Sequence, residues 1–181
     1  MQRADPLAFR QAASRFATGV AVLTALDSRG EICGMTANSF VTISLSPPTV
    51  LVSVKSGRMH EAMSASRRYG VNVLPEQAKA VSRHFASRPR EAHPEHDIVD
   101  GLPRLSNCVA FFACEVTRMI DVSDHTLFIA EVSGCDYSDD LPLVFFSSRY
   151  HLGPGKPADR WADERRSRND RDGFRRPGEG P

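Results

Sequence analysis

The sequence has no Cys-x-x-Cys pair, no long apolar run and almost no net charge, and each absence removes a class of function. Its cysteines, Cys33, Cys108, Cys114 and Cys135, lack the spacing of a disulfide framework, and a chain of 181 residues needs no staples to hold a core. Cys33, Cys108 and Cys114 lie in or beside apolar runs, where a free thiol behaves as a small hydrophobe, so a reducing cytoplasm is the expected compartment. No apolar stretch approaches the ~20 residues of a membrane-spanning helix, and Met1 to Arg10 carries no apolar signal core. A formal charge of +1 gives no reason to expect nucleic acid or an anionic membrane as partner. His93, His96 and Asp97 share a segment with no thiol at matching spacing, so no metal site is expected. Neither an activated nucleophile nor a carboxylate pair stands out.

What is present is a string of short β-type segments. Pro6 to Phe16 has helical spacing, with Asp5 as N-cap and Pro6 at the first helical position, and Gly19 ends it. Strands are expected over Val20–Leu26, Glu31–Thr36, Ser39–Ser44 and Thr49–Val54, with a turn at Asp27–Gly30 and a break at Pro47-Pro48. A helix over Arg58–Arg68, a strand over Tyr69–Leu74 and a helix over Glu76–Ala86 follow. Arg88 to Gly101 reads as a polar loop, then strands are expected over Cys108–Asp121, Thr126–Ser133 and Leu143–Tyr150. Direct strand-to-strand connection outweighs strand–helix alternation. The fold class is therefore mainly β with peripheral helices, an antiparallel barrel rather than a doubly wound sheet. Residues 1–153 form the expected domain. Residues 154–181 are rich in Pro, Gly and charge, cannot bury enough apolar area to offset ordering, and are expected to be a disordered tail. Acids interleave with its arginines, which argues for a solvated tail over a nucleic-acid arm.

Two strand ends carry the chemistry. Thr36, Ala37, Asn38 and Ser39 are small or polar and let a ligand approach the backbone closely. Lys55-Ser56-Gly57-Arg58 runs from a strand into a helix, where Ser56 can cap while Lys55 and Arg58 add charge beside free N–H groups, a pocket suited to a phosphate ester. Each piece alone also reads blandly: Ser56 as a cap only, residues 36–39 as a bend, His125 as a side chain bonded to Asp124.

In order, Phe16-Ala17-Thr18-Gly19-Val20-Ala21-Val22-Leu23-Thr24, Gly34-Met35-Thr36-Ala37-Asn38-Ser39-Phe40, Ser44-Leu45-Ser46-Pro47-Pro48 and Asp124-His125-Thr126-Leu127-Phe128 resemble the short-chain flavin reductases. These are reductase components of two-component flavin-dependent monooxygenases with the FMN-binding split barrel fold, and the resemblance spans about Phe9 to Gly153. It implies a split-barrel homodimer that passes hydride from NADH, or alternatively NADPH, to FMN or FAD for a partner oxygenase. The lack of an arginine cluster suited to a 2′-phosphate favours NADH. The resemblance puts Thr36, Ala37, Asn38 and Ser39 along the flavin ring and ribityl chain, and Ser53, Val54, Lys55 and Ser56 near the phosphate, where the charge of Arg58 already pointed. It adds Phe85, Ala86 and Ser87 to the flavin contacts, Tyr150 to the closing aromatic segment, and His125 to the nicotinamide side. Arg149-Tyr150-His151 departs from the arrangement usual there, leaving the roles of Tyr150 and His151 open. Two other readings stand beside this one: a split-barrel flavoprotein that keeps FMN as a prosthetic group for another substrate, and a non-catalytic flavin-binding module.

Overall fold

The computed structural model describes residues 5–86 and 94–154. The expected tail from residue 155 onward, Ser87 and most of the expected loop's first half lie outside them. The chain runs α1 (Pro6–Ala13), β1 (Thr18–Gly19), β2 (Ala21–Leu26), β3 (Ile32–Ala37), β4 (Val41–Leu45), β5 (Pro48–Lys55), α2 (Arg58–Ser66), β6 (Arg68–Val73) and α3 (Lys79–Phe85). It continues through β7 (His96–Val99), β8 (Leu102–Leu105), β9 (Ala110–Val122), β10 (His125–Tyr137), β11 (Val144–Phe146) and β12 (Arg149–His151). No helix among the described residues is long and apolar enough to cross a membrane.

Seven strands form one antiparallel sheet in the order β3-β2-β6-β9-β10-β5-β4. Its two edge strands, β3 and β4, are consecutive in the chain and joined by Asn38–Phe40 alone, so the sheet has to curl back on itself. Strand alternation then gathers one face of every central strand inside. Ala21, Leu23 and Ala25 of β2, Cys33 and Ala37 of β3, Val50, Val52 and Val54 of β5, and Phe128 and Ala130 of β10 share a single core. Met59, Ala62 and Met63 of α2 pack into the same cluster. A smaller core of Val20, Val22, Leu74, Leu105 and Leu143 lies on the other side of β2, beneath α3 and the β11–β12 hairpin.

Several boundaries differ from expectation. The first helix stops at Ala13, with Asp5 capping it through bonds from the Leu7 and Ala8 N–H groups, and Thr18–Gly19 pairs with β11 instead of trailing the helix. Pro48 opens β5 after a cis Ser46–Pro47 bond. The third helix begins only at Lys79. The expected polar loop contains β7, which pairs with β8 across Asp100-Gly101. Both turn residues have positive φ, 51° and 72°, as a two-residue primed turn demands. The expected last strand is a hairpin, because Ser147 and Ser148 both take positive φ and reverse the chain between Phe146 and Arg149.

Candidate functional site

The end of β3 is built to receive α3. Its residues alternate, so Cys33, Met35 and Ala37 join the core while Gly34 and Thr36 face the helix. Gly34 matters by having no side chain: a Cβ there would stand 2.6 Å from Cε1 of Phe85. The Phe85 ring therefore lies directly on the strand. Two residues on, the Thr36 hydroxyl donates to the Ser82 carbonyl at 2.6 Å, satisfying an acceptor in the last turn of α3. Ser82 Oγ shares a hydrogen bond with Tyr150 Oη at 2.9 Å, which fastens β12 to the same helix. Phe145 meets the Tyr150 ring edge-on at 5.4 Å between centroids, and Lys79 Nζ lies 5.9 Å over its face.

These contacts frame a cleft of about 220 Å³ lined by Val20, Thr36, Ala37, Asn38, Ser82, Ala86, Phe145 and Tyr150. Of the residues singled out from sequence, Thr36, Ala37, Asn38, Ala86 and Tyr150 line it directly, and Phe85 sits behind it. Ser82, Lys79 and Phe145 are not among those residues: Ser82 and Lys79 fall within a segment expected only as a helix and Phe145 within one expected only as a strand, and no local pattern marks them for the cleft.

The second strand end is tied to the first by Ser39. Its hydroxyl donates to the Ser53 carbonyl at 3.0 Å and accepts from the Ser53 N–H at 3.1 Å. One side chain thus does what a ladder residue would do, extending the β4–β5 pairing by one step where the connector has left the sheet. Beyond it, Lys55 pairs with His125 and Ser53 with Leu127 across β5 and β10, which puts these four side chains on one outer face. Asp124 sits at the tip of the tight β9–β10 turn. Its Oδ1 lies 2.7 Å from His125 Nδ1 and its Oδ2 3.0 Å from Lys55 Nζ. Those bonds, the histidine's first and then the lysine's, hold the Asp124 carboxyl down to about 2.

Three expectations need correction. Val54 is fully buried in the core, because it alternates with Ser53 and Lys55, so its side chain faces no cleft. Gly57, not Ser56, occupies the cap position of α2, and no side chain caps that helix. Arg58 turns away to Asp27 at 2.7 Å and Glu31 at 3.1 Å on the β2–β3 turn, and the Asp27 carboxyl is lowered chiefly by that bond. Its charge is spent there. Ser87 lies outside the described residues. Among the described residues, no group of three or more His, Cys, Asp or Glu side chains is arranged to hold a metal ion.

Comparison with known proteins finds flavin reductases. The NADH-dependent flavin reductase StyB of Pseudomonas fluorescens is 50% identical over 158 residues, covering 84% of this chain and 91% of that protein. An NADH-dependent flavin reductase of Rhodococcus sp. is 35% identical over 160 residues, again 84% and 91% of the two chains. Among solved structures, the styrene monooxygenase flavin reductase SMOB of Pseudomonas putida S12 superposes with a TM-score of 0.77 at 51% identity, over 82% of this chain and 98% of that one. The flavin reductase like domain matches residues 13–153, and the chain belongs to that family.

Proposed function

We propose that this protein is an NADH:flavin oxidoreductase that reduces FMN or FAD and hands it to a partner oxygenase. The observation that carries the reading is the cleft at the end of β3, walled by α3 and β12 and continued by the Ser39–Ser53 clasp toward Lys55 and His125. Half-identity with an NADH-dependent flavin reductase supports the reaction class.

The residues suit a flavin. Ala37 and Asn38 offer backbone and a short amide beside the aromatic pair Phe145 and Tyr150, so a flat heteroaromatic ring meets small groups on one side and apolar surface on the other. The uncapped N-terminus of α2, after Ser56-Gly57, leaves N–H groups for a phosphate, with Ser53 beside the path. When bound, the flavin supplies the hydride acceptor, and the nicotinamide supplies the hydride. The protein's part is alignment: Thr36 and Ser82 hold the cleft wall, Ser39 keeps the two strand ends together, and His125 meets the nicotinamide carboxamide. Such fixed placement of two rings is worth several powers of ten in rate.

A homodimer belongs to the same reading. The cleft, at about 220 Å³, falls below the ~300–1,000 Å³ of sites that enclose a whole ligand, so a second surface is needed to complete it. The outer sheet face next to Lys55 and His125 is largely apolar, carrying Val41, Leu51, Leu127, Ile129, Ile120 and Val122 in register, with Arg118 opposite Ile129 as a charged member. Val41, Ile120 and Val122 are about half exposed. A second copy on this face would shut the site from the side. The 1–153 domain boundary is supported by the family match ending at residue 153, and the free cysteines suit a cytoplasmic setting.

The test is turnover by the purified chain. NADH oxidation should require added FMN or FAD, in a preparation that is itself colourless. A yellow protein that never oxidises NADH would favour the prosthetic or binding-module reading instead.

A further inference from the structure

The smaller core beneath α3 is not fully roofed. Its Leu74 and Leu105 form part of the lining of a groove between α3 and the segment leading into β7. Ala78 and Val81 line it from the α3 side and Pro94 from the other, with exposed Glu95 and Asn107 completing it. Its volume of about 130 Å³ is well under the ~300–1,000 Å³ of a site for a free small molecule. A groove of that size and lining suits one flat apolar side chain. Among the described residues, no cation pairs with the Glu95 carboxylate, so a basic neighbour would suit it as well.

The chain itself leaves beside this groove. A Cβ on Gly153 would stand 3.1 Å from Leu141 Cδ1 and 3.3 Å from Glu76 Oε2. Glu76 belongs to the turn in which the Ala78 N–H donates to the Pro75 carbonyl, and that turn joins Leu74 to Ala78. Trp161 follows Gly153 by eight residues, a reach of at most about 28 Å. It is the one tryptophan of the sequence, and Phe174 is the other aromatic of residues 154–181. Arg160 precedes it, so the ring brings the charge that Glu95 lacks. Closing so short a loop costs little entropy, and the tether holds the ring at millimolar effective concentration. The family match stops at residue 153, so nothing the family shares accounts for the residues beyond.

We propose that this groove is the docking site for the chain's own C-terminal segment, with the Trp161 indole seated over Ala78 and Val81 and Arg160 beside Glu95. Such docking stands apart from the flavin reductase reading and needs no ligand. It bears on the same helix, however. Val81 precedes Ser82, whose carbonyl takes the Thr36 hydroxyl and whose Oγ meets Tyr150, so the seated ring braces the helix that walls the cleft.

The single tryptophan is the probe. Emission and acrylamide quenching are recorded on the full chain without flavin. A seated indole should emit to the blue of N-acetyltryptophanamide and be quenched about threefold less. Ala78→Arg, which fills the groove, and Glu95→Lys, which repels Arg160, should each shift emission to the red and raise quenching, with circular dichroism unchanged. Thermal unfolding gives a second readout: Trp161→Ser should lower Tm by about 2–4 °C, and Trp161→Phe, which keeps a ring, should restore most of it. Wild-type emission and quenching equal to those of the free amide overturn the proposal. A protected indole that neither groove variant disturbs overturns it too, because the ring is then seated elsewhere. Protection that disappears on dilution gives the groove to a second copy's tail and overturns docking within one chain.

Discussion

Adding one methyl group at Gly34 should be felt across the whole cleft, and a second substitution should remove the damage. An alanine Cβ there would lie 2.6 and 2.7 Å from Cε1 and Cδ1 of Phe85, with the Leu23 carbonyl at 3.3 Å blocking escape the other way. Relaxed carbon contacts need about 3.5–4.0 Å, so the ring has to retreat by roughly 1 Å. The ring is boxed in by His84, edge-on at 4.8 Å, and by the cluster around Val20, Val22 and Leu74. Overpacking of this kind costs about 1–3 kcal/mol, against about 0.5–1 kcal/mol that alanine gains over glycine in a strand. The net loss for Gly34→Ala then lies between about 0 and 2.5 kcal/mol, centred near 1 kcal/mol, a fall in Tm of about 2–4 °C at that centre for a domain of this size. Because Phe85 belongs to α3, the cleft wall moves with it and flavin binding weakens. In a Phe85→Leu background the clash is gone, and Gly34→Ala should be neutral or mildly stabilising. Thermal unfolding and fluorescence titration with FMN on the four proteins of the cycle measure both effects. An equal penalty for Gly34→Ala in either background would refute the argument, since distant or unrelated effects add.

Other outcomes follow from the charges, thiols and apolar face. Arg58→Ala should leave flavin affinity within about twofold, since its guanidinium is occupied by Asp27 and Glu31; a tenfold loss on titration would restore the phosphate role. The Asp124 carboxyl, depressed in the folded chain, adds stability that is complete above the ordinary carboxylate range and fades as pH falls toward about 2. A ¹³C carboxyl titration should show its midpoint rising in His125→Ala, and an unmoved midpoint would contradict the bond order given above. Iodoacetamide should label exposed Cys135 first and spare Cys114, whose thiol burial pushes up to about 12, until the protein unfolds; peptide mapping reads this. Val41→Glu, on the outer face of β4, should shift sedimentation toward monomer at unchanged fold, and an unaltered dimer would place the interface elsewhere.

How much of this was legible in the sequence depended on whether the signal was local. The β-rich class, the Asp5 cap and the small residues at the end of β3 are properties of single segments, and each is found where the pattern put it. The β7–β8 hairpin was legible too, through Asp100-Gly101, but the mixed charges around that dipeptide masked it. The Ser147-Ser148 reversal was not, because serine seldom adopts positive φ and nothing nearby demands it. Partners distant in sequence were the least visible. Arg58 beside a helix start looks like an anion ligand until the β2–β3 turn, about thirty residues away, delivers two carboxylates to it.

The same reasoning explains why the site divides as it does along β5. A strand can offer only alternate side chains to one face, so a segment read as four ligand residues can supply two at most from a single side. Ser53 and Lys55 share the outer face, Val54 goes to the core, and Ser56 has left the strand. The outer face is also the apolar one that a second copy would cover, and this gives one surface two duties. On the homodimer reading proposed above, residues toward Val41 and Ile129 would contribute association, while Ser53, Lys55 and His125, at the end where β5 and β10 finish pairing, stay polar and reachable. If a second copy covers this face, site and interface share one pair of strands, and a substitution that loosens the pairing of β5 with β10 is expected to weaken nicotinamide binding and association together.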